Sequence, residues 1–146
     1  MNDTQRLVVQ ETFRCLAPSS ETVGAIFYAN LFRLNPDLRS MFRGDIVAQS
    51  HKLVQVLALA VNSLDRLPQL APVLEDLGRR HAGYGVSPAD YDTVGTALLV
   101  TLDHCLGTGF TTDVRDAWAA IYSVLSGAMQ RGANQLNAAA HGGSAA

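Results

Sequence analysis

Apolar side chains recur every three or four positions along most of the chain, a spacing that places them on one face of an α-helix. The last such run predicts a helix that begins near Thr111 and fades near Asn137. Its apolar positions are Trp118, Ile121, Tyr122, Leu125 and Met129. Nowhere do polar and apolar residues alternate for long enough to predict a strand. The pattern therefore predicts an all-α fold.

Caps, prolines and glycines divide this pattern into separate helices. Ser87, Pro88 and Asp90 form the clearest start signal, because a serine cap, a proline at the first helical position and a nearby carboxylate all favour a helix N-terminus. Further caps are predicted at Ser19-Ser20 and at Asp45.

Between these signals the sequence predicts helices of uneven length joined by short turns. They run from about Asp3 to just before Pro18, from Ser20 to Asn35, from Ile46 to Leu64, from Pro68 to Arg80 and from Pro88 to Leu106, with a short turn from Pro36 to Phe42. Such unequal helices do not suit a regular up-and-down bundle. We expect one domain over residues 1–137 and a disordered Ala- and Gly-rich tail over residues 138–146.

Composition narrows the class of protein. The chain has 146 residues, 48% of them hydrophobic and 16% charged, with a net charge of −2, so it lacks the basic excess of a nucleic-acid binder. Cys15 and Cys105 are far apart and belong to no Cys-x-x-Cys pair, which favours buried, reduced thiols. The polar N-terminus and the lack of a long apolar run favour a cytoplasmic protein without a membrane span.

The stretch Leu77-Gly-Arg-Arg-His81 ends a predicted helix on a histidine that could hold a metal. Taken alone, a histidine near a helix end is more often a cap or a core residue than a ligand. Among the other histidines, His51 lies about 200° around its helix from Gln49 and should face outward. We expect His104 to be partly buried structure and His141 to lie in the tail.

Several motifs at long separations give the histidine its context. They are Phe27-Tyr28-Ala-Asn-Leu-Phe32, Asn35-Pro36 to Phe42, Gln49-Ser-His-Lys-Leu53 to Leu57, Leu77-Gly-Arg-Arg-His81, Tyr84-Gly-Val86 and Tyr91 to Gly95. On these motifs, across roughly residues 3–135, the chain resembles the single-domain bacterial haemoglobins, relatives of the globin half of flavohaemoglobins. The resemblance implies a globin fold with three helices over three and a short or absent D helix.

The same resemblance implies a non-covalent b-type haem with His81 as its iron ligand, and the absence of a Cys-x-x-Cys-His motif agrees. Phe42 is implied to stack on the porphyrin. Tyr28, Gln49 and Leu53 are implied to lie on the opposite, distal side of the haem. Further haem contacts are implied for Lys52, Leu57, Leu77, Arg79, Tyr84, Val86, Tyr91 and Val94.

Some of these contacts have their own physical arguments. Gln49, Leu53 and Leu57 recur every four residues and so share one face of a helix. Lys52 is the best candidate to reach a haem propionate, ahead of Arg79 and Tyr84.

The chain departs from related bacterial globins beside the proximal histidine. There, the residue at the position of Tyr91 hydrogen-bonds near that histidine, often with a glutamate, but here the glutamate position falls on Ala133. A carboxylate would make the imidazole more anionic and favour O–O cleavage, so its absence argues against peroxidase-like chemistry.

The implied distal pair predicts the function. A phenol and an amide in a dry pocket stabilise the partial negative charge of bound dioxygen far more than they stabilise carbon monoxide, which predicts tight, reversible oxygen binding for transport or scavenging. The alternative is a nitric oxide dioxygenase served by a separate reductase, because these residues include no Gly-rich nucleotide-binding segment.

A gas sensor ranks lowest among the functions considered. The physiological ligand is left open among oxygen, nitric oxide, nitrite and sulfide. The ferric sixth ligand is left open among water, hydroxide and the Tyr28 phenolate. The sequence leaves the oligomeric state open as well.

Overall fold

Helices account for the secondary structure of the computed structural model, which describes residues 2–42 and 44–145 and, for residues 136–145, the backbone only. Within this described part there are six α-helices and no strand: α1 Asp3–Leu16, α2 Ser20–Leu34, α3 Ile46–Asn62, α4 Ala71–Gly83, α5 Pro88–Leu106 and α6 Thr112–Ala145. Short 3-10 helices occupy Ala17–Ser19, Pro36–Met41, Leu64–Leu70 and Gly107–Gly109. The all-α prediction is confirmed.

Local polar groups set several of the predicted helix boundaries. The Asp45 carboxylate accepts from the backbone N–H of Val47 at 2.9 Å and caps α3. The Ser87 backbone N–H donates to the Asp90 carboxylate at 2.8 Å, and α5 begins at Pro88 as predicted. Gly107, at φ +56, ends α5 in a backbone conformation that glycine adopts readily.

Other boundaries differ from the prediction. The Ser19 side chain makes no capping hydrogen bond, because a 3-10 turn joins α1 directly to α2. Pro68 lies inside a 3-10 helix that is interrupted at Arg66, so α4 begins three residues later, at Ala71. The same helix continues past Arg80 to Gly83.

The backbone of α6 is helical to Ala145, beyond the fading predicted near Asn137. The disorder predicted for residues 138–146 and the domain limit at residue 137 stay predictions. His141 lies outside the residues whose side chains are described. No helix in the described part of the chain combines the length and apolar character that a membrane span requires.

The core forms where α1 and α6 pack together and where α2 meets α3 and α5. Trp118 lies at its centre and is 1% exposed, with Leu31, Leu102 and Ile121 similarly buried. The Trp118 indole N–H donates to the Thr12 hydroxyl at 2.8 Å, and that hydroxyl donates to the Val8 carbonyl at 2.8 Å. One threonine therefore satisfies the buried polar atom of the largest core side chain.

Two predictions of burial are wrong. Cys15 is exposed, because the buried face of α1 runs through Val9 and Leu16, and Cys15 lies about 100° away from Leu16 around the helix. His104 is also exposed, two residues after the buried Leu102 on α5. Both cysteines are free thiols, and Cys105 is half-buried.

The remaining histidine of the described helices faces solvent as predicted. The His51 side chain is 59% exposed and lies 3.8 Å from the Glu21 carboxylate.

Thr12→Val should destabilise the fold, because it leaves the Trp118 indole N–H buried without a hydrogen-bond partner. We expect the free energy of unfolding in urea to fall by about 1–3 kcal/mol. Thr93→Val is the matched control, since the Thr93 hydroxyl bonds only to the Ala89 carbonyl of its own helix. Equal losses in the two variants would contradict a role for the indole hydrogen bond.

Candidate functional site

His81 lies two residues before the end of α4, with its imidazole ring half-buried. The ring Nδ1 is 2.8 Å from the Leu77 carbonyl oxygen, one turn earlier on the same helix. A carbonyl can only accept, so Nδ1 carries the proton and donates it. The lone pair is then on Nε2, which makes no hydrogen bond within the described part of the chain.

The surroundings of His81 also decide its charge. Burial lowers the pKa of His81 below its ordinary value; the hydrogen bond to Leu77 opposes this shift and the positive charge of Arg80 adds to it. The imidazole is therefore neutral at physiological pH. A neutral imidazole with a fixed tautomer is the form that ligates a metal ion.

The chain turns sharply after His81. The His81 carbonyl accepts from the backbone N–H of Tyr84 at 3.0 Å and from that of Val86 at 3.1 Å, and Gly85 takes a positive φ of +91°. The Tyr84 ring lies edge-on to the imidazole, with centroids 6.4 Å apart, but is 69% exposed. Val86 is half-buried, so the turn directs one apolar side chain inward and the tyrosine outward.

Three aromatic rings surround Tyr28 on α2. The Tyr28 ring centroid lies 5.0 Å from that of Phe27, 5.9 Å from that of Phe32 and 5.3 Å from that of Phe42. The contacts with Phe27 and Phe42 are edge-to-face, a geometry that holds rings in defined orientations. The cluster brings the sequence-predicted residues Tyr28 and Phe42 into direct contact.

Arg39 contacts two members of this cluster. Its guanidinium donates to the Phe42 carbonyl at 2.9 Å and lies 5.5 Å from the centre of the Phe32 ring. The sequence analysis missed this residue. Its spacing of three from Phe42 in a predicted turn was the only available signal, and it is shared by many surface arginines.

Tyr28 offers a neutral hydroxyl that no described residue engages. The residue is 6% exposed, and burial raises the pKa of Tyr28 to about 12. The phenol therefore keeps its proton and can donate it. Its hydroxyl has no hydrogen-bond partner among residues 2–42 and 44–135.

Gln49 lies on α3, which packs closely against α2. A side-chain Cβ on Gly24 would overlap Ser50, so the two backbones approach there as only a glycine permits. Gly24 is one turn before Tyr28, and Ser50 follows Gln49 directly. The crossing therefore fixes Gln49 relative to α2, and its half-buried amide has no partner in the part of the chain with described side chains.

Two leucines continue the Gln49 face of α3. Leu53 and Leu57 are both half-buried and pack against the core. Leu57 also lines an apolar cavity of about 20 Å³ together with Phe13 and Trp118. On the predicted face of α3, Gln49 is therefore the single polar residue and the two positions that follow it are apolar.

Tyr91 carries a second buried hydroxyl without a partner. The residue is 6% exposed, and its hydroxyl makes no hydrogen bond within the described residues. Its backbone carbonyl accepts from the Tyr122 hydroxyl at 2.6 Å. Burial raises the pKa of both tyrosines, so both remain neutral.

Tyr122 was read from the sequence only as an apolar position of the last helix. Its ring lies against Gly95, where an added Cβ would crowd it. No sequence signal distinguishes it from a core tyrosine. Val94, the residue beside Gly95, is half-buried and packs against the core.

The predicted cationic contacts differ in their availability. Lys52 is exposed on α3 and has no ionic partner among the described residues. The Arg79 guanidinium donates to the Gln135 side chain at 3.0 Å and lies 3.7 Å from the Asp76 carboxylate. Lys52 is free to reach an anionic group, whereas Arg79 is already engaged.

Comparison with known proteins places this arrangement in context. A globin family model matches residues 25–129. Neuroglobin from Danio rerio is 30% identical and neuroglobin from Chaenocephalus aceratus 27% identical, each alignment spanning 90% of this chain and 92% of the relative. Both relatives are therefore matched over nearly their whole length.

Among solved structures, an engineered carbene transferase from Rhodothermus marinus, described as a candidate nitric oxide dioxygenase, aligns with a TM-score of 0.86 at 25% identity. The alignment covers 97% of this chain and 99% of that one. The match confirms the expected three-over-three helical fold. The expected short or absent D helix agrees with the connection between Met41 and Ile46, whose described residues form no helix.

The lowered pKa of His81 makes stability depend on pH. Below the ordinary pKa of 6.5, His81 in the unfolded chain binds a proton, whereas in the folded chain it binds that proton only at lower pH. The free energy of unfolding therefore decreases as the pH falls below this ordinary value. We expect the unfolding free energy of the haem-free protein to fall more steeply between about pH 7 and pH 5 than that of His81→Gln. Urea unfolding at stepped pH measures both slopes. Parallel curves for wild type and His81→Gln would contradict the shift.

Proposed function

Because the chain belongs to the globin family, whose members bind ligands at a haem, we propose that it is a b-type haem protein that binds dioxygen reversibly and with high affinity. Oxygen transport or scavenging is the corresponding role. The observation that supports it best is a set of uncommitted polar groups: His81 Nε2, the Tyr28 hydroxyl and the Gln49 amide have no partner among the described side chains. Such groups are free to bind a ligand without breaking a hydrogen bond within the described part of the protein.

The residues of the chain fit a haem. His81 would hold the iron through Nε2, with its orientation set by the Leu77 carbonyl. Phe42 would lie against the porphyrin, and Lys52 would meet a propionate. The remaining apolar contacts would come from Leu53, Leu57, Leu77, Val86 and Val94. When bound, a ferrous haem supplies the metal centre at which diatomic ligands coordinate.

The distal residues would select among these ligands. Tyr28 and Gln49 both donate hydrogen bonds, and donors favour a ligand that accumulates negative charge over a neutral one. Tyr28 is 6% exposed and packs against aromatic rings, so its hydrogen bond would act in a setting of lower dielectric than water. Two donors of about 1–1.5 kcal/mol each would slow oxygen release by one to two orders of magnitude.

Nitric oxide dioxygenation is the second candidate function, favoured by the likeness to a structure described as a candidate enzyme of this kind. Forming nitrate from nitric oxide and dioxygen consumes one electron per turnover, which a separate reductase would have to supply. Mixing the oxygenated protein with nitric oxide tests it. Stoichiometric nitrate, sustained over many turnovers when a reductase is added, favours the enzyme, whereas one turnover without recovery favours the carrier.

His81→Ala should lose most of its haem during purification, because no other neutral imidazole in the described residues stands in this site. The Soret absorbance per chain measures haem content, and added imidazole should restore it. His51→Ala is the matched control and should keep wild-type haem content, since its ring faces solvent. Wild-type haem affinity in His81→Ala would overturn the assignment.

Tyr28→Phe should speed oxygen dissociation about tenfold or more, because it removes one donor while keeping the ring in its aromatic cluster. Stopped-flow displacement of oxygen by carbon monoxide from the ferrous protein measures the rate. Tyr84→Phe removes an exposed hydroxyl and should leave the rate unchanged. An unchanged rate in Tyr28→Phe would transfer the role to Gln49 alone.

A further inference from the structure

Helix α4, which carries His81, touches α6 backbone to backbone at two glycines. A Cβ added to Gly78 would overlap the Met129 carbonyl, and a Cβ added to Gly132 would overlap the Glu75 carbonyl. Glu75 and Gly78 are three residues apart on α4, and Met129 and Gly132 are three residues apart on α6. Each glycine therefore lies against a backbone carbonyl of the other helix. This reciprocal contact, here called the glycine crossing, brings the two helix axes closer than any side chain would allow.

Two side-chain contacts also join the helices near the glycine crossing. Arg131 Nε lies 3.8 Å from the Glu75 carboxylate, and the Arg79 guanidinium donates to Gln135 at 3.0 Å. Helix α4 packs chiefly on α6 and otherwise contacts mainly the 3-10 helix that precedes it. The position of α4 therefore depends on α6 more than on any other element.

The choice of glycine has a measurable cost. A glycine inside a helix makes it less stable than an alanine would. The chain accepts this at Gly78 and Gly132, both buried in the contact, and gains a close approach that alanine would prevent. Gly83 and Gly127, on the same two helices, meet no such obstacle: an added Cβ would find open space at the first and only the tip of Arg131 at the second.

We propose that the glycine crossing is the positioning device of the proximal histidine. Gly78 is three residues before His81, so docking this turn of α4 on α6 fixes both the Leu77 carbonyl and the imidazole bonded to it. The crossing keeps α4 docked, and His81 in place, before the haem arrives. This inference rests on the proposed role of His81 as the iron ligand.

Gly78→Ala and Gly132→Ala test the proposal in the haem-loaded ferrous protein. A methyl group at either site requires the helices to separate by on the order of 1 Å. We expect the iron–histidine stretching band in resonance Raman spectra to shift and broaden, and haem transfer to excess acceptor apoprotein to become about tenfold faster. Gly83→Ala and Gly127→Ala are the matched controls and should keep the wild-type band and rate.

The outcomes separate this proposal from the function on which it rests. Crossing variants with a wild-type band and a wild-type rate of haem loss would overturn the positioning role even if they were less stable. A wild-type protein with no iron–histidine band would overturn His81 as the ligand instead.

A measurement on the wild type decides the case if the crossing variants do not fold. In the haem-free protein, backbone amides of residues 76–81 should exchange with deuterium at least about a hundredfold more slowly than in an unstructured chain. Exchange of these amides at the unstructured rate would show that α4 is not docked without haem, and would overturn the proposal.

Discussion

An imidazole can offer a lone pair only while it is neutral, and at only one of its two nitrogens. The Leu77 carbonyl meets the second condition by accepting from Nδ1, and burial meets the first by lowering the pKa of His81. A helical carbonyl one turn earlier has a second lone pair beyond the one used by the helix, so no additional side chain is needed. This arrangement requires α4 to remain helical through His81, and it does so for two more residues.

Around Tyr28 and Gln49 the arrangement is the opposite, because apolar side chains surround polar groups that have no partner in the described part of the chain. Three aromatic rings and a close crossing of α2 and α3 hold Tyr28 and Gln49 without giving either a hydrogen-bond partner among the described side chains. In the function that we propose, the bound ligand accepts these hydrogen bonds without displacing any partner within the described residues.

Much of the fold was predictable because its signals are local. Ser87, Pro88 and Asp90 mark the start of α5, and Gly107 its end, by chemistry that acts within one turn. The failures concern properties that depend on distant parts of the chain. The outward direction of Cys15 follows from which face of α1 meets α6, and a glycine such as Gly132 reads in the sequence only as a weak helix former.

The same difference between local and long-range signals applies to the candidate site. The resemblance to a family supplied its residues, and the structure brings Tyr28 and Phe42 into contact. No motif could predict whether each polar side chain already has a hydrogen-bond partner. That Arg79 is engaged by Gln135, while the Tyr91 hydroxyl has no partner among the described residues, follows from packing between helices far apart in the sequence.

The partner of His81 also bears on the chemistry that an iron centre would perform here. A carboxylate beside Nδ1 would draw its proton away, make the imidazole more anionic and favour O–O cleavage. The partner present is a neutral carbonyl on the histidine's own helix, and the position where a glutamate was expected is Ala133, which directly follows the glycine crossing. In the function that we propose, His81 would therefore bind the iron as a neutral ligand, which favours reversible ligand binding over peroxidase chemistry.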